Sequence, residues 1–490
     1  MEREEKKLEF YGSDYMSLIP LFVFIGFCIS FFVIFKVFDM SALAMGGFVA
    51  LIAGSVFSKD WGKYWDAVIK GMSSPMINTL VLILLIVGIF VKLMSRGGVA
   101  EGFVWLGYTL NLHGGMFVVF TFLATCIIAS ATGTSIGTLF SAFPIFYPSG
   151  ILLGAEPVVL AGAILSGAIF GDNVAPISDT TIASATSQKY NNKKGFADVG
   201  GCVSSRLKYA LVGALIASVF FFINGSAGTA NVAGVEILQQ YMDPKGLIML
   251  LPVIILLVVA TVKRNIFIAI TWGIISGTVI GLISGVIVPS DIISVQGGSL
   301  SGFAIEGITS MLGTVGFNYA LGGIIGIMTA SGTMEKIIQS LLSSKLAQTD
   351  AGTELIIAMG VIITAICLGA ANSPAIIMFG PIADELGRAK NIHPYRRANL
   401  LDGCSATIPV LIPFISAFIF IVMSVTQSLM VDYPFIEAIS PIQLAFSTYH
   451  CIALTFVFLF SILTGWGRQY EGKDGEPVNM IKGYVAEKFL

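Results

Sequence analysis

Long apolar runs recur along the chain and indicate that it folds in a lipid bilayer and not in water. Eight of them approach or exceed the roughly 20 residues that a helix needs to cross the hydrocarbon core of a bilayer. Because lipid offers no partner to backbone N–H and C=O groups, these runs predict helices. They fall near residues 16–38, 41–58, 72–95, 207–224, 246–262, 266–288, 303–330 and 441–466, and two interrupted apolar regions cover 115–187 and 354–427.

The composition supports the same fold class. Hydrophobic residues make up 56% of the 490 residues and charged residues 11%, against roughly 25% charged in soluble domains. The mean hydropathy is +0.88, which leaves no room for a large soluble domain. We therefore predict an all-α polytopic membrane protein whose surroundings are the lipid bilayer. The net charge of −2 indicates no nucleic-acid partner.

Cysteines, histidines and catalytic motifs argue against a resident cofactor and against an enzyme. The six cysteines are scattered singly and form no CxxC pair, and His113, His393 and His450 lack metal-ligand spacing. The HExxH motif does not occur. We therefore expect no cofactor and no membrane-embedded enzyme.

Loop charge predicts the orientation in the membrane. Basic residues cluster in loops near 59–70, 189–208, 263–264 and 388–397, whereas 225–244 and 428–440 contain no Lys or Arg. The positive-inside rule then places both termini in the cytoplasm. We expect the protein in the cytoplasmic membrane. Arg206, Arg396 and Arg397 are counted here as cytoplasmic loop residues. The first apolar run has no cleavage site after it and is interpreted as a retained span.

One order of parts occurs twice and predicts two inverted-topology repeats. Each repeat has a hairpin followed by a broken helix, and Asp172 lies 230 residues before its counterpart Asp402. An odd number of crossings between the copies inverts the second one, a pattern found in secondary transporters. The predicted parts are a cytoplasmic N-terminus at 1–15, repeat 1 at 16–206 (hairpin 115–152, broken helix 157–187), a connecting helix and outer loop at 207–245, repeat 2 at 246–440 (hairpin 354–387, broken helix 398–427), a last transmembrane helix at 441–466 and a cytoplasmic tail at 467–490.

The segment FGDNVAPISDTTIASATS, residues 170–187, interrupts an apolar region with polar, helix-breaking residues. We predict a break at 172–176, with Gly171 just past one helix end and Pro176 in the first turn of the next helix. Ser178, Asp179 and Thr180 can accept hydrogen bonds from the first N–H groups of that second half-helix. Non-helical backbone at this depth persists only where it is buried in protein or lines a wet cavity.

A second predicted break near 402–409 and two hairpin tips complete the candidate site. Hydroxyl, carbonyl and carboxylate oxygens suit Na⁺ better than zinc or copper, and we place Na⁺ at Asp172, Thr134, Ser135 and Asp179. A buried carboxylate can exchange its cation for a proton, because burial disfavours the charged form. The candidate ion- or substrate-binding residues are Thr132, Gly133, Thr134, Ser135, Asp172, Asn173, Pro176, Ser178, Asp179, Thr180, Asn372, Ser373, Pro374, Asp402, Ser405 and Thr407.

Structural roles remain as alternatives for the same residues. Asp172, Asp179 and Asp402 could serve only to cap helix ends, and the two hairpin tips could be plain tight turns. His450 fits a packing or interhelical hydrogen-bonding role, and Asp384 fits a solvated surface pair with Arg388.

The element GDNVAPISDTT, residues 171–181, resembles the NhaC-type Na⁺/H⁺ antiporter family, whose members carry a similar Gly-Asp-x-x-x-Pro-x-Ser-Asp-Thr-Thr sequence. ATGTSIGT at 131–138 and LDGCSATIP at 401–409 fit the same family, and the resemblance covers roughly residues 20–465. It implies an antiporter fold within the wider ion-transporter group, a homodimer, and a mobile unit made of hairpins and broken helices. It also implies ion binding by Asp172, Asn173, Ser178, Asp179 and Thr180, which would face the first hairpin tip.

Two functions follow from these features and stay open at this point. The first is Na⁺/H⁺ antiport, in which Na⁺ and H⁺ compete for one carboxylate and are the transported ions. The alternative is Na⁺-coupled transport or exchange of a small organic or amino acid, since half-helix N-termini and two polar tips offer more polar surface than one ion needs. A passive channel suits the two oppositely oriented half-sites less well.

Overall fold

The computed structural model describes residues 7–35, 40–176, 178–226, 242–263, 265–296, 298–333, 336 and 348–479. The predicted segments 1–15, 16–38, 207–245 and 467–490 therefore lie partly outside the described residues. Within the described ranges, seven helices are long and apolar enough to cross a membrane, or eight when a bent pair is counted as one span. The chain is thus an all-α polytopic membrane protein, as its apolar runs predict.

The first half of the chain is a series of helices that ends in one long helix. A 3₁₀ helix at Asp14–Leu18 and a π-helical turn at Ser30–Phe35 flank the first α-helix. The α-helices are α1 (Ile19–Ile29), α2 (Met40–Ser55), α3 (Trp61–Met72), α4 (Pro75–Arg96), α5 (Val99–Thr109), α6 (Gly114–Thr132), α7 (Ser135–Leu152), α8 (Pro157–Val174), α9 (Asp179–Thr186) and α10 (Val199–Asn224).

The second half begins with a 3₁₀ helix at Pro244–Met249. Two small antiparallel sheets, β1 (Ser294–Gln296) with β2 (Ser299–Ser301) and β3 (Tyr470–Glu471) with β4 (Pro477–Val478), are added to the helices. The α-helices are α11 (Leu250–Lys263), α12 (Ile266–Ser284), α13 (Pro289–Ile292), α14 (Phe303–Ser310), α15 (Leu312–Ala330), α16 (Asp350–Cys367), α17 (Asn372–Ala389), α18 (Pro394–Ser405), α19 (Ile408–Leu411), α20 (Ala417–Met430), α21 (Pro441–Ser447) and α22 (Tyr449–Thr464).

Local capping explains where several of these helices begin. Ser74 accepts a hydrogen bond from the Ile77 N–H (3.4 Å) and is followed by Pro75, which starts α4. Glu156 accepts from the Val159 N–H (2.6 Å) and precedes Pro157, which starts α8. A side-chain acceptor followed by proline satisfies one free N–H group and fixes the first helical turn.

Burial separates interior helices from helices with an apolar outer surface. In the segment Pro157–Thr186, which combines α8 and α9, 94% of the most apolar 18-residue stretch is buried inside the protein. The corresponding share is 28% in both α10 and α12, which expose residues such as Leu215 and Ile283. Large apolar side chains on an outer surface suit contact with lipid. The broken helix is therefore central, and α10 and α12 are peripheral.

Helix contacts in the two halves of the chain pair up. α1 packs on α2 as α11 packs on α12, and α6 packs on α8 as α16 packs on α18. Contacts between the halves are reciprocal: α3 lies against α15 and α14 against α4, while α7 lies against α20 and α17 against α9. Two copies of one unit related by a two-fold axis would produce this pattern. The inverted orientation of the copies stays a prediction.

Two predicted helices differ in detail from the structure. The last span, expected as one helix at 441–466, is split into α21 and α22 with a bend of 54°, because Thr448 leaves the helical conformation with ψ 65°. The second broken helix, expected at 398–427 with a break near 402–409, runs from Pro394 to Met430 and is interrupted both after Ser405 and after Leu411.

Arginines that the charge pattern assigns to a cytoplasmic loop are buried in ion pairs. Arg396, 1% exposed, donates from Nε and Nη2 to the Glu354 carboxylate at 2.8 and 2.9 Å, and Arg468 Nη2 donates to the same group at 2.9 Å. Asp384 lies 3.8 Å from Arg388 Nη1, so the predicted pair forms, but its side chain is only 11% exposed and also lies 3.5 Å from buried Arg397 Nη1, which corrects the expectation that the pair is solvated. A basic residue at a helix end looks the same in sequence whether it meets water or a distant acid.

The segment after α22 folds back on two loops, one between α9 and α10 and the other between α17 and α18. The His393 N–H donates to the Gln469 carbonyl (2.8 Å), and the Glu471 carboxylate accepts from the backbone N–H groups of Asn191 (2.8 Å) and Asn192 (2.6 Å). The His393 ring accepts at Nδ1 from the Tyr395 N–H (3.2 Å), and Nε2 lies 3.2 Å from the Gly475 carbonyl. A neutral ring with its proton on Nε2 satisfies both contacts.

Acid should therefore loosen this C-terminal segment. Burial, with smaller contributions from Arg397 and Lys193, lowers the pKa of His393 from 6.5 to about 4. The unfolded state then binds a proton below pH 6.5 that the folded state does not, so stability falls from there towards pH 4, by up to about 3 kcal/mol. We expect faster hydrogen exchange of the backbone amides in 468–478 at pH 5 than at pH 7.5, after correction for intrinsic rates. His393→Asn keeps an N-cap acceptor but does not titrate, so equal acid sensitivity in this variant would contradict the assignment.

Candidate functional site

The first hairpin tip connects α6 to α7. Gly133 ends α6 in the left-handed region with φ 67°, and its N–H donates to the Ala129 carbonyl (2.8 Å). Thr134 caps α7 by accepting from the Gly137 N–H (3.3 Å), and the Thr132 and Thr138 hydroxyls are 3.1 Å apart. The tip therefore reverses the chain in two residues and leaves hydroxyl groups on both arms.

Asp172 lies in the last turn of α8, directly opposite this tip. The Ser135 hydroxyl donates to Asp172 Oδ2, and the Ser178 hydroxyl donates to Asp172 Oδ1 at 2.6 Å. The Ser178 and Thr180 hydroxyls are a further 2.9 Å apart. Asp172 is 8% exposed, so two hydroxyl donors and a low-polarity surrounding fix the direction of its carboxylate.

The first break lies slightly later than the sequence predicts. α8 continues to Val174 and α9 begins at Asp179, so the interruption is at 175–178 rather than 172–176. Pro176 lies within the break and not in the first turn of α9, and Gly171 lies inside α8 and not past its end. A Cβ on Gly171 would collide with Ala129 and Ser130 of α6. Gly171 therefore serves close packing of the broken helix on the hairpin, as small residues do between membrane helices.

The second hairpin tip joins the two halves of the chain. Gly369 and Ala370 both adopt left-handed backbone conformations, with φ 68° and 63°. The Ser373 hydroxyl donates to Asp179 Oδ2 at 2.6 Å. With its amide oriented to suit its neighbours, Asn372 donates to the Ser405 carbonyl at 2.9 Å. One tip thus contacts both broken helices.

A cavity of about 600 Å³ lies between the two tips. Its walls include α4 and α15 on one side and the hairpins and broken helix on the other. Among the described residues that line it, Asp172 and Asp179 are the only charged side chains. The predicted site residues in its wall are Thr132, Gly133, Thr134, Ser135, Asp172, Asp179, Thr180, Asn372, Ser373 and Pro374.

Several wall residues are not among the predicted ones. Asn318 of α15 is 3% exposed and donates to the Thr314 carbonyl at 2.8 Å, and its side chain lines the cavity. Leu321, Phe418 and Ile421 supply an apolar surface. An amide inside an otherwise apolar span was the available signal for Asn318. The apolar residues carry no such signal, since they look like ordinary span residues.

The remaining predicted residues lie outside the cavity wall. Asn173 Nδ2 donates to Asp402 Oδ1 (3.2 Å), and the Ser405 and Thr407 hydroxyls donate to carbonyls of their own segment, those of Asp402 and Cys404. Pro176 and Ser178 lie in the break behind Asp172. Asp402 forms a buried ion pair with Arg206, which corrects the placement of Arg206 in a cytoplasmic loop.

A larger hollow of about 1280 Å³ lies at the far end of α9 and α17, beside β3 and β4. Charges of both signs line it, including Lys189, Asp384, Arg388 and Glu471. None of the predicted site residues is in its wall. The cavity between the hairpin tips therefore remains the candidate site.

Residues 12–199 match the family model described as the Na⁺/H⁺ antiporter family. The malate-2H⁺/Na⁺-lactate antiporter of Bacillus subtilis is 27% identical over 387 residues, which cover 75% of this chain and 79% of that protein. The Na⁺/H⁺ antiporter NhaC of Alkalihalophilus pseudofirmus is 28% identical over 165 residues, 34% of this chain and 35% of that protein. These relatives are transporters and not enzymes.

Other matches are shorter or more distant. The arginine/ornithine antiporter ArcD of Halobacterium salinarum is 30% identical over 131 residues, 26% of this chain and 27% of that protein. The match to the crystal structure of the Alcanivorax borkumensis YdaH transporter covers 80% of this chain and 88% of the YdaH chain, with a TM-score of 0.34 and 13% sequence identity.

Proposed function

Because the chain belongs to the NhaC-type Na⁺/H⁺ antiporter family, we propose that it exchanges Na⁺ for H⁺ by alternating access of its hairpins and broken helices. The observation that carries this proposal is Asp172, a buried carboxylate in the wall of the cavity between the hairpin tips. Na⁺ would bind the oxygens of Asp172 with those of Thr134, Ser135 and Asp179, which suit a hard cation. Asp172 would otherwise carry a proton, so Na⁺ and H⁺ exclude each other.

Coupling follows from this competition. An ionised Asp172 without a cation would be a bare charge between packed helices, which is costly in a medium of low polarity. Only the Na⁺-bound and the protonated forms would then reorient across the membrane. No cofactor is needed for this cycle. We further propose a homodimer in the cytoplasmic membrane with both termini in the cytoplasm, as the charge pattern and the family resemblance suggest.

A second candidate function rests on the size of the cavity. At about 600 Å³ it falls within the range of small-molecule sites, roughly 300–1,000 Å³, and is much larger than one ion requires. Its apolar surface at Leu321 and Phe418 could contact the body of a small organic acid or amino acid. The printed names of two relatives, with malate and lactate in one and arginine and ornithine in the other, motivate the choice of compounds to test.

Proteoliposomes with an internal pH dye test the proposal. We expect an outward Na⁺ gradient to drive internal acidification, and an inward gradient to drive alkalinisation, without any organic solute. Addition of malate, lactate, arginine or ornithine should not be required. A signal that appears only with one of these solutes would favour the second candidate, and no signal with either Na⁺ or solutes would contradict both.

A further inference from the structure

Arg206 of α10 reaches into the centre of the molecule. Its side chain is 0% exposed, although the apolar face of α10 covers the outside of the bundle. The guanidinium contacts three helices: Nε donates to Asn399 Oδ1 (3.1 Å) in α18, and Nη1 donates to the Asn173 carbonyl (2.6 Å) in α8 and to the Thr181 hydroxyl (3.2 Å) in α9. Its fixed fork of donors suits such a multiple contact, whereas a lysine ammonium does not.

Asp402 is fully engaged by these same neighbours. It forms an ion pair with Arg206 Nη1, and the Thr181 hydroxyl donates to Oδ2 at 3.1 Å while Asn173 Nδ2 donates to Oδ1 at 3.2 Å. It is 2% exposed and is not in the cavity wall. Asp402 therefore balances the charge of Arg206, and its oxygens face protein donors and not the cavity.

The contacts of Arg206 in the first repeat lie on both sides of the break at 175–178. Asn173 is adjacent to Asp172 in the last turn of α8, and Thr181 lies in the first turn of α9. Carbonyl groups at a helix end have no partner within the helix. By holding the Asn173 carbonyl and the Thr181 hydroxyl together, Arg206 fixes the two half-helices between which Ser178 donates to Asp172.

We propose that Arg206 is a positioning residue that sets the geometry of the first break, and that only the first broken helix supplies a carboxylate to the transported cation. The two repeats are then chemically unequal: Asp172 faces the cavity, and its sequence counterpart Asp402 is a structural counter-ion. This inference deepens the proposed function and rests on it. Residues that orient first-contact ligands typically change ion affinity by about 10–100-fold when they are replaced.

Four variants separate positioning from folding: Arg206→Gln, Asp402→Asn, the double variant R206Q/D402N, and the surface control Arg96→Gln, whose wild-type guanidinium pairs with Glu306 at 3.0 Å. We expect the sodium KM of the folded protein to rise about 10-fold or more in R206Q and in R206Q/D402N. It should stay near the wild-type value in D402N and in R96Q. The amount of folded protein should follow charge balance instead. It should be lowest in the two single variants of the buried pair and higher in the double variant.

A purely structural role would change the amount of folded protein without changing the sodium KM. The inference is therefore overturned if R206Q/D402N shows the wild-type sodium KM, or if the KM rises in the single variant D402N. Hydrogen exchange of the amides in 171–182 gives a readout that does not need transport. We expect faster exchange in R206Q and in R206Q/D402N than in wild type, and unchanged exchange there would also overturn the inference. Absence of sodium-evoked proton movement in the wild-type protein would count against the proposed function alone.

Discussion

Asp172→Asn is expected to abolish sodium-evoked proton movement while the protein still folds. Asparagine has nearly the same shape, and the Ser135 and Ser178 hydroxyls can rotate to accept from its amide, since a hydroxyl both donates and accepts. The amide neither takes up a proton in this pH range nor offers a full negative charge to Na⁺. Exchange should fall to background, so that the internal pH of proteoliposomes follows that of empty vesicles.

Two further aspartate variants make this result specific. Asp66→Asn on the exposed face of α3 changes one charge outside the cavity wall and should leave exchange at the wild-type level. Asp179→Asn removes the second carboxylate of the cavity wall and its hydrogen bond from Ser373. If exchange survives in D172N and is lost in D179N, then Asp179 and not Asp172 carries the proton, and the proposed cycle is wrong in its central residue.

Features with a local cause could be predicted from the sequence. Gly133 and Thr134 specify the first hairpin tip because a left-handed glycine and an N-cap threonine act within a few residues. The apolar runs specify helices because lipid leaves backbone groups no other partner. The polar segment at 170–187 specifies a break in the central helix because proline and hydroxyl or carboxylate side chains interrupt helical hydrogen bonding locally. Each of these arguments needs only neighbouring residues.

Features with a long-range cause could not be predicted. α8 continues past Gly171 to Val174, where Gly171 packs on Ala129 of α6 and Asp172 accepts from Ser135 of α7, and neither contact is visible in the local sequence. Asn318 lines the cavity from α15, 146 residues after Asp172 along the chain. Arg206 lies beside a cluster of loop lysines, and nothing local separates it from them. Its partner Asp402 is 196 residues away.

Glu354→Gln is expected to destabilise the protein strongly. Glu354 is 0% exposed and pairs with Arg396 and Arg468. Removing its charge leaves the Arg396 guanidinium buried without compensation, and loss of one partner of a buried pair costs about 3–5 kcal/mol. We expect little folded protein when membranes carrying E354Q are solubilised and analysed by fluorescence-detected size exclusion before and after heating.

The same change at a surface pair provides the matched control. Glu306 pairs with Arg96, whose side chain is 42% exposed, so Glu306→Gln should cost only about 0–1 kcal/mol. The double variant E354M/R396M removes both buried charges and fills the space with apolar side chains, a replacement that is often neutral or stabilising. It should recover part of the folded protein lost in E354Q, because Arg468, whose side chain is 11% exposed, keeps its hydrogen bond to the Ile462 carbonyl at 2.8 Å. Equal losses of folded protein in E354Q and E306Q would mean that burial does not determine the loss of stability. Failure of the double variant to recover folded protein would mean that Glu354 acts through its hydrogen-bond geometry and not through charge compensation.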